Sequence, residues 1–304
     1  MAKSKFPKDR GLTARMGLTV FLLGLVYVIF IAVLLMLKLS LSLIAVVAFG
    51  ILFVQYFFSD KIALASMKGK IVTREEEPQL HALVDRLCAL ANMPKPKVAV
   101  ARNDMPNAFA TGRNPSNSVV CATTGLMRRL NEQELEAVLA HELSHVAHRD
   151  VAVMTIASFL GMVAGFLTRI ELWTGGGIGG GGNRRGNGNN NQGNAGMLIL
   201  VVSVVVYAVS FLITRALSRY RELSADRSGA ILIGRPSNLK SALIKITGEM
   251  GRIPTRDLRS ASAFNSFYFA PAISPNSMSG LFSTHPSLEK RIAQLDKLER
   301  DLMQ

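Results

Sequence analysis

The chain has 304 residues, of which 49% are hydrophobic and only 18% are charged, and its mean hydropathy is +0.27. Its formal net charge of +14 comes without a basic stripe, interleaved aromatic residues or a nucleic-acid motif, which argues against a nucleic-acid-binding protein. Two cysteines, Cys88 and Cys121, are too few for a disulfide-stabilised secreted domain.

The N-terminal part of the chain is a basic tail, residues 1–15, followed by two apolar segments. The segments Met16 to Leu37 and Leu39 to Phe58 contain no charged residue, and each is long enough to cross a bilayer as a helix. The first is too long for a cleaved signal peptide and has no small-residue cleavage site. We therefore predict a retained transmembrane hairpin over residues 16–58.

Residues 59–150 have the mixed composition of a soluble domain. Apolar residues recur at helical spacing in "LHALVDRLCALA", whereas "KPKVAVARND" and "NSVVCATTG" have the β-branched content of strands. The stretch "NEQELEAVLAHELSHVAHRD" then predicts a helix, which Asn131 and Glu134 can start with a capping box. These elements predict the first part of an α+β domain.

Two more apolar segments, Val151 to Thr168 and Ala195 to Thr214, predict a second transmembrane hairpin over residues 151–214. Their connector, residues 173–194, is rich in glycine and asparagine. Such a composition has almost nothing to bury, and it predicts a flexible segment.

The last part of the chain, residues 215–304, returns to mixed composition and ends in a charged amphipathic helix, "LEKRIAQLDKLERDL". With four spans, this part and residues 59–150 lie on the same side of the membrane and can form one domain. Lysine and arginine gather near the span ends on that side, at Lys61, Lys68, Lys70, Arg74, Arg215, Arg219 and Arg221. Loops rich in these residues stay in the cytoplasm, so we predict a cytoplasmic domain.

The stretch "HELSH", His141 to His145, contains the first candidate for chemistry. Histidines four residues apart share one helical face, so both imidazoles can bind the same zinc ion. Glu142 adjoins the first histidine and can reach a water molecule at the metal without binding the metal itself. Zinc makes such a water more acidic, and a neighbouring carboxylate can take its proton as the water attacks a carbonyl. The motif therefore predicts a hydrolytic zinc site.

A catalytic zinc ion has three protein ligands and one open position, so a third ligand is needed. His148 is an awkward candidate, because it lies about 10 Å beyond His141 along the helix axis. Glu222 and Asp226, in "RELSAD", are four residues apart on a predicted helix, so Glu222 can face the metal while Asp226 accepts a hydrogen bond from a ligand imidazole. The same spacing fits two solvated acids paired with neighbouring arginines, and both interpretations remain open.

Four motifs, in this order, resemble the HtpX family of bacterial membrane zinc proteases, relatives of the CAAX prenyl endopeptidases. The motifs are "NAFATGR" at 107–113, "HELSH" at 141–145, "RELSAD" at 221–226 and "STHPSLEKRI" at 283–292. The resemblance covers nearly the whole chain, including two spans ahead of the domain and two between the candidate ligands. It implies a mainly helical α+β, four-span integral membrane protein with a zincin-like (gluzincin) domain.

The resemblance implies a role for each residue of the metal site. His141, His145 and Glu222 would bind one Zn²⁺ ion per chain, and Glu142 would be the general base. Asp226 would hydrogen bond to one of the ligands.

The two other matched stretches imply contacts with a substrate. An extended peptide would add, through main-chain hydrogen bonds, to an exposed edge strand made of Asn107, Ala108, Phe109, Ala110 and Thr111. Without the resemblance, this segment is an ordinary loop or strand end. His285 and Arg291 match a histidine–proline element near the active site of relatives, where a donor or a positive charge can stabilise an oxyanion. Alternatively, His285 and the proline after it only break the chain before the final helix.

The resemblance implies a zinc endopeptidase of the bacterial cytoplasmic membrane that cleaves misfolded or damaged membrane proteins on the cytoplasmic side. An intramembrane protease is the first alternative, but charged residues on both sides of "HELSH" disfavour burial in lipid. A CAAX-type prenyl endopeptidase would share the site and differ in substrate. A noncatalytic scaffold would hold a structural zinc ion with four protein ligands.

Overall fold

The computed structural model describes residues 5–36, 49–50, 53, 57–58, 60–151, 153–154, 190–250 and 285–304. The chain divides into two compact units. The first unit comprises Met1–Thr13, Phe57–Ala152 and Arg215–Gln304, and the second comprises Ala14–Tyr56 and Val153–Thr214. The predicted metal ligands belong to the first unit. So do the two segments whose composition predicts a soluble domain, residues 59–150 and 215–304.

The first unit contains a four-stranded mixed sheet. Its strands are β1 (Gly69–Ile71), β2 (Lys97–Ala101), β3 (Ala108–Asn114) and β4 (Asn117–Thr123). They are ordered β1-β2-β4-β3; the central pair β2–β4 is parallel, and the two outer pairs are antiparallel. Strand β3 is therefore an edge strand among the described strands.

Helices make up most of the described structure, which confirms the mainly helical α+β class. They include α1 (Arg10–Met36), α2 (Pro78–Ala91), α3 (Thr124–Arg129), α4 (Glu132–His148), α5 (Asn190–Ile233), α6 (Pro236–Met250) and α7 (Leu288–Met303). Within the first unit, α2 and α4 pack against the sheet, α6 packs on α4, and α7 packs on α6. Aliphatic side chains of the strands and of these helices form the core.

Helix α4 begins with the predicted capping box. The Asn131 side chain accepts a hydrogen bond from the Glu134 N–H (2.9 Å), and the Glu134 carboxylate accepts one from the Asn131 N–H (3.0 Å). Glu134 also accepts hydrogen bonds from Ser241 (2.6 Å) and Lys245 (2.8 Å) on α6. The first turn of α4 is thus fixed both locally and by the neighbouring helix.

Two of the described helices are long and apolar enough to cross a membrane, over Arg10–Ala32 of α1 and Leu200–Ile233 of α5. They correspond to the first and fourth predicted spans. The second and third, Leu39 to Phe58 and Val151 to Thr168, lie almost wholly outside the described residues, so four spans remain a prediction.

Helix α5 extends beyond the predicted span in both directions. It begins at Asn190, inside the segment predicted to be a flexible connector, and it continues past Thr214 through the whole "RELSAD" motif. A helix that is already nucleated grows at little cost, so a polar stretch next to an apolar one can remain helical. The expectation of a flexible chain is therefore wrong for residues 190–194, and the rest of the connector lies outside the described residues.

Candidate metal centre

Three buried side chains converge where α4 and α5 meet in the first unit. His141 and His145 lie one turn apart on α4, with their ring centroids 4.9 Å apart and their ring planes perpendicular. The Glu222 carboxylate of α5 lies 3.6 Å from Nε2 of His141 and 3.5 Å from Nε2 of His145. Among the described residues, these three form a group that could hold a metal ion.

The candidate ligand atoms in this group, one from each residue, lie within 4.8 Å of one another, close enough to share a metal ion. Zinc binds histidine and carboxylate ligands at about 2.0–2.1 Å, which places neighbouring ligand atoms of a tetrahedron about 3.4 Å apart. Each carboxylate oxygen of Glu222 lies near that edge length from one histidine: Oε2 is 3.6 Å from Nε2 of His141, and Oε1 is 3.5 Å from Nε2 of His145. With the three candidate ligands that the described residues offer, a tetrahedral ion would keep one position open, as catalytic zinc sites do.

Each candidate ligand histidine has its own carboxylate behind it. Nδ1 of His141 lies 2.9 Å from Oδ1 of Asp226, and Nδ1 of His145 lies 2.8 Å from Oδ2 of Asp150. When Nε2 binds a metal, Nδ1 carries the ring proton, and this N–H donates a hydrogen bond to the carboxylate, which fixes the orientation of the ring. This is the contact that the sequence predicts for Asp226.

The side chain of Glu142 extends from α4 to the edge strand β3. Its Oε2 accepts a hydrogen bond from the Ala110 N–H of β3 at 2.9 Å, and the residue is only 5% exposed. Burial raises the pKa of the Glu142 carboxyl to about 7. A carboxylate of this basicity is well matched to accepting and returning a proton at neutral pH.

His285 and Arg291 both reach this centre through its acidic side chains. Nδ1 of His285 lies 3.1 Å from Oε2 of Glu222. The Arg291 guanidinium donates two hydrogen bonds to Asp226, from Nε at 2.7 Å and from Nη2 at 2.6 Å. Arg291 therefore stands behind Asp226, where it can orient that carboxylate, whereas the resemblance implied a position at the oxyanion.

Residues 74–299 match peptidase family M48. The chain belongs to this family. As an M48 peptidase it is a metalloprotease, and the two apolar helices and its relatives support a membrane enzyme. The resemblance to HtpX-type proteases is thereby confirmed.

Two curated relatives of this M48 peptidase match along nearly their full length. Protease HtpX homolog 1 of Streptomyces coelicolor is 55% identical, with 99% of this chain and 97% of the relative covered. A Protease HtpX homolog of Moorella thermoacetica is 54% identical, with 97% and 96% covered. The crystal structure of S. mikatae Ste24p matches with a TM-score of 0.55 at 16% identity, covering 95% of this chain and 67% of that one. The Ste24p likeness supports the fold alone.

The segment predicted to bind substrate begins just before β3 and runs along it. Its edge position agrees with the expectation, but its side chains are not exposed: Asn107, Ala108, Phe109 and Thr111 are all buried. They are covered because α4 packs against β3. The Ala110 N–H bonds to Glu142 and not to β4, so the main-chain groups of Ala110 lie on the free side of the strand. Main-chain groups alternate in direction along a strand, so those of Ala108 share this free side.

Asp150 and Arg221 are functional candidates of this M48 peptidase that the sequence reasoning missed. Asp150 follows Arg149, whose left-handed φ of 57° ends α4 and turns the chain back, so helical periodicity cannot place it beside His145. Nε of Arg221 lies 3.6 Å from Asp150 and 3.2 Å from Nδ1 of His145. Nδ1 holds one proton at most, so with Nε2 on a metal that proton goes to Asp150, and Arg221 is a charged neighbour of the pair.

His148 lies apart from the ligand group. Its Nε2 donates to the carbonyl oxygen of Pro7 at 3.1 Å. This contact agrees with the expectation that His148 is not a metal ligand.

Gly229 lets α5 approach the backbone of α4 next to the first ligand. A Cβ at Gly229 would lie 2.8 Å from the main-chain nitrogen of His141 and 3.0 Å from the carbonyl carbon of Ala140. Backbone atoms inside a helix cannot move aside independently, so the two helices would have to separate. The distance between Glu222 and the histidines therefore depends on this glycine.

Gly229→Ala is accordingly expected to destabilise the first unit by about 1–3 kcal/mol, the usual cost of overpacking. It should also weaken zinc binding by about tenfold, measured by competition with a chromophoric chelator. Gly248→Ala on α6 is the matched control, because a Cβ there meets nothing within 4 Å. Equal zinc affinity in the two variants would contradict the proposed role of Gly229.

Proposed function

We propose that the protein is a zinc-dependent membrane endopeptidase that cleaves misfolded or damaged membrane proteins on the cytoplasmic side of the bacterial membrane. The observation that carries this proposal is the convergence of His141, His145 and Glu222, whose candidate ligand atoms lie within 4.8 Å of one another, with Glu142 next to His141 in the chain. Membership of the M48 peptidases and the match to HtpX proteases support the same reaction. Zinc would supply the Lewis acidity that activates a water molecule and polarises the scissile carbonyl.

Residues of the chain would accept the proton of the attacking water and return it to the leaving group. Glu142 takes a proton from the attacking water and returns it to the amine of the leaving peptide, so water is added across the C–N bond. The hydrogen bond from the Ala110 N–H holds the carboxylate in place for both transfers. Asp226 and Asp150 keep the two imidazoles in one orientation, and Arg291 does the same for Asp226.

For His285 we propose a catalytic part. Nδ1 of its ring contacts the carboxylate of Glu222, so His285 lies beside the candidate metal ligands. Its other ring nitrogen, when protonated, could donate to the oxygen that gains negative charge as the carbonyl is attacked.

We propose that an extended substrate adds as a strand to the free side of β3. Main-chain pairing of this kind tolerates many sequences, which suits a protease acting on damaged proteins. Support comes from the position of β3 at the sheet edge and from the contact of its Ala110 with Glu142. A substrate bound on that side would have its scissile bond close to Glu142, the proposed general base.

Ala110→Pro should reduce cleavage without loss of zinc, because proline fixes φ and disturbs the edge strand to which a substrate would add. It also removes the N–H that holds Glu142, so kcat will fall as well, and KM is the decisive quantity. We expect KM for a peptide substrate to rise at least severalfold. Ala110→Gly keeps the N–H and is the control. An unchanged KM in folded Ala110→Pro would rule out strand addition here.

The cleavage activity itself is tested with the purified full-length protein in lipid vesicles and a destabilised membrane protein as substrate. Cleavage should stop when a chelator removes the metal and resume when zinc is restored. Peptides with and without a prenylated cysteine, assayed in parallel, separate this function from that of a prenyl endopeptidase. A strict requirement for the prenyl group would refute the proposed substrate class.

We propose that residues 59–150 and 215–304 form a single cytoplasmic protease domain. Both segments fall within the first compact unit, and lysine and arginine flank the predicted spans on that side.

A cysteine at Asn189, in the predicted external connector, should be labelled by an impermeant thiol reagent in intact cells, whereas a cysteine at exposed Ser237 should not. The native cysteines add little background, because burial raises the pKa of Cys88 to about 11 and of Cys121 to about 12. Labelling at Ser237 alone would reverse the topology.

A further inference from the structure

The N-terminal tail docks on the first unit before it enters α1. The Lys5 N–H donates to the carbonyl oxygen of Ala91 at the end of α2 (2.7 Å), and Phe6 is buried in the core with 5% exposure. The sequence predicts only a basic tail over residues 1–15. We call Lys5–Asp9 the tail clamp, because it contacts both helices that carry the candidate metal ligands.

The contact with α4 is made at its C-terminal end. Nε2 of His148 donates to the carbonyl oxygen of Pro7 (3.1 Å), and the His148 and Phe6 rings lie 6.3 Å apart. His148 is three residues beyond His145, so the clamp holds the helical turn that follows the second ligand.

The contact with α5 is made in the middle of the "RELSAD" motif. The Ser224 hydroxyl donates to Oδ2 of Asp9 at 2.6 Å. Ser224 lies between Glu222 and Asp226, and residues two apart on a helix point about 200° away from each other. The clamp therefore contacts the face of α5 opposite the one that points to α4.

A second close approach supports the same arrangement. Tyr220 shares the Ser224 face of α5, one turn earlier. A Cβ at Gly11 would lie 2.5 Å from the Tyr220 hydroxyl oxygen, so the Tyr220 side chain would have to shift if a larger residue stood there. In the first unit, α5 is thus held by α4 on its ligand face and by the tail on its other face.

Asp9 joins this contact to the start of α1. Its Oδ1 accepts a hydrogen bond from the Leu12 N–H (2.8 Å) and so caps the helix that contains the first candidate span. The Asp9 carboxylate therefore caps α1 through Oδ1 and accepts a hydrogen bond from Ser224 of α5, near Glu222, through Oδ2.

We propose that the tail clamp positions the metal centre, with Asp9 as a positioning residue that acts through Ser224 on Glu222. A catalytic metal site works only when its ligands are held to within about 0.5 Å. Without Asp9, nothing in the described part of the clamp holds the Ser224 hydroxyl, and α5 can shift against α4. The inference rests on the proposed zinc peptidase, but it concerns how this chain keeps Glu222 in place.

The test uses the full-length protein with Asp9→Ala, Ser224→Ala and the double variant. Asp104→Asn is the control, since its exposed carboxylate pairs with Arg128 on the surface.

With cobalt in place of zinc, the visible absorption spectrum reports the ligand geometry independently of substrate. We expect each single variant to keep one cobalt ion per chain, to shift the cobalt bands and to lower kcat about tenfold at unchanged KM. The double variant should be no worse than either single one, because both remove the same hydrogen bond.

The control should match the wild type in spectrum and rate. A wild-type cobalt spectrum in folded Asp9→Ala, or in Ser224→Ala if Asp9→Ala does not fold, would overturn the clamp. Additive losses in the double variant would overturn the coupling between the two residues. Failure of the proposed function is distinguishable, because it would appear as a wild-type protein that binds cobalt but cleaves nothing.

Discussion

Glu142→Gln should leave the metal bound and lower the cleavage rate by at least two orders of magnitude, the usual scale of general-base catalysis. The amide has the size of the carboxylate, and its oxygen can still accept the Ala110 N–H that now bonds to Oε2. The amide cannot take a proton from water. Because Glu142 is buried and adjoins His141 without being part of the ligand group, the fold and the metal site should persist.

The measurement is kcat for a peptide or membrane-protein substrate, together with the zinc content of the same preparation. Glu132→Gln is the matched control: it makes the same chemical change on the same helix, at an exposed position far from the ligands. The control should retain both rate and metal. Cleavage by Glu142→Gln at near the wild-type rate would mean that another group takes the proton.

Glu222→Ala should strip or loosen the metal and abolish cleavage, whereas His148→Ala should keep the metal. The carboxylate of Glu222 stands within 3.6 Å of Nε2 of both ligand histidines, while Nε2 of His148 bonds to Pro7. Two imidazoles alone leave a zinc ion two protein ligands, one fewer than catalytic sites use. A single carboxylate also leaves the site net positive, which favours a bound hydroxide.

Metal content is measured after dialysis of each variant against a weak chelator. His148→Ala removes one contact of the tail clamp, so a modest fall in kcat with retained metal is compatible with both proposals. Loss of metal from His148→Ala, with full retention in Glu222→Ala, would overturn the ligand assignment and with it the role carried over from the "RELSAD" motif.

The parts of the site that rest on local sequence could be predicted well. The capping box of Asn131 and Glu134 needs only four residues of one turn, and the shared face of His141 and His145 follows from helical periodicity. Glu222 is different, because spacing alone fits a solvated pair of acids equally well. It reaches the histidines because α4 and α5 approach closely at Gly229. These two helices are far apart in the sequence, so no local pattern predicts their contact.

Other features depend on backbone turns and on docking, which periodicity does not encode. Asp150 reaches His145 because Arg149 adopts a left-handed conformation. The tail has the composition of an ordinary basic terminus, and its place follows from the burial of Phe6 in the core. Hydropathy predicts too short a helix for α5, because it marks where the apolar surface ends, whereas the helix continues to Ile233.

The division of the ligands between α4 and α5 also has a consequence for biosynthesis. A ribosome completes both histidines of "HELSH" before it has made the apolar segments that precede Glu222. If Glu222 is the third ligand, a chain paused in that interval contains the proposed general base and two imidazoles but no complete metal site. We therefore expect the nascent chain to remain inactive until α5 has been translated and folded.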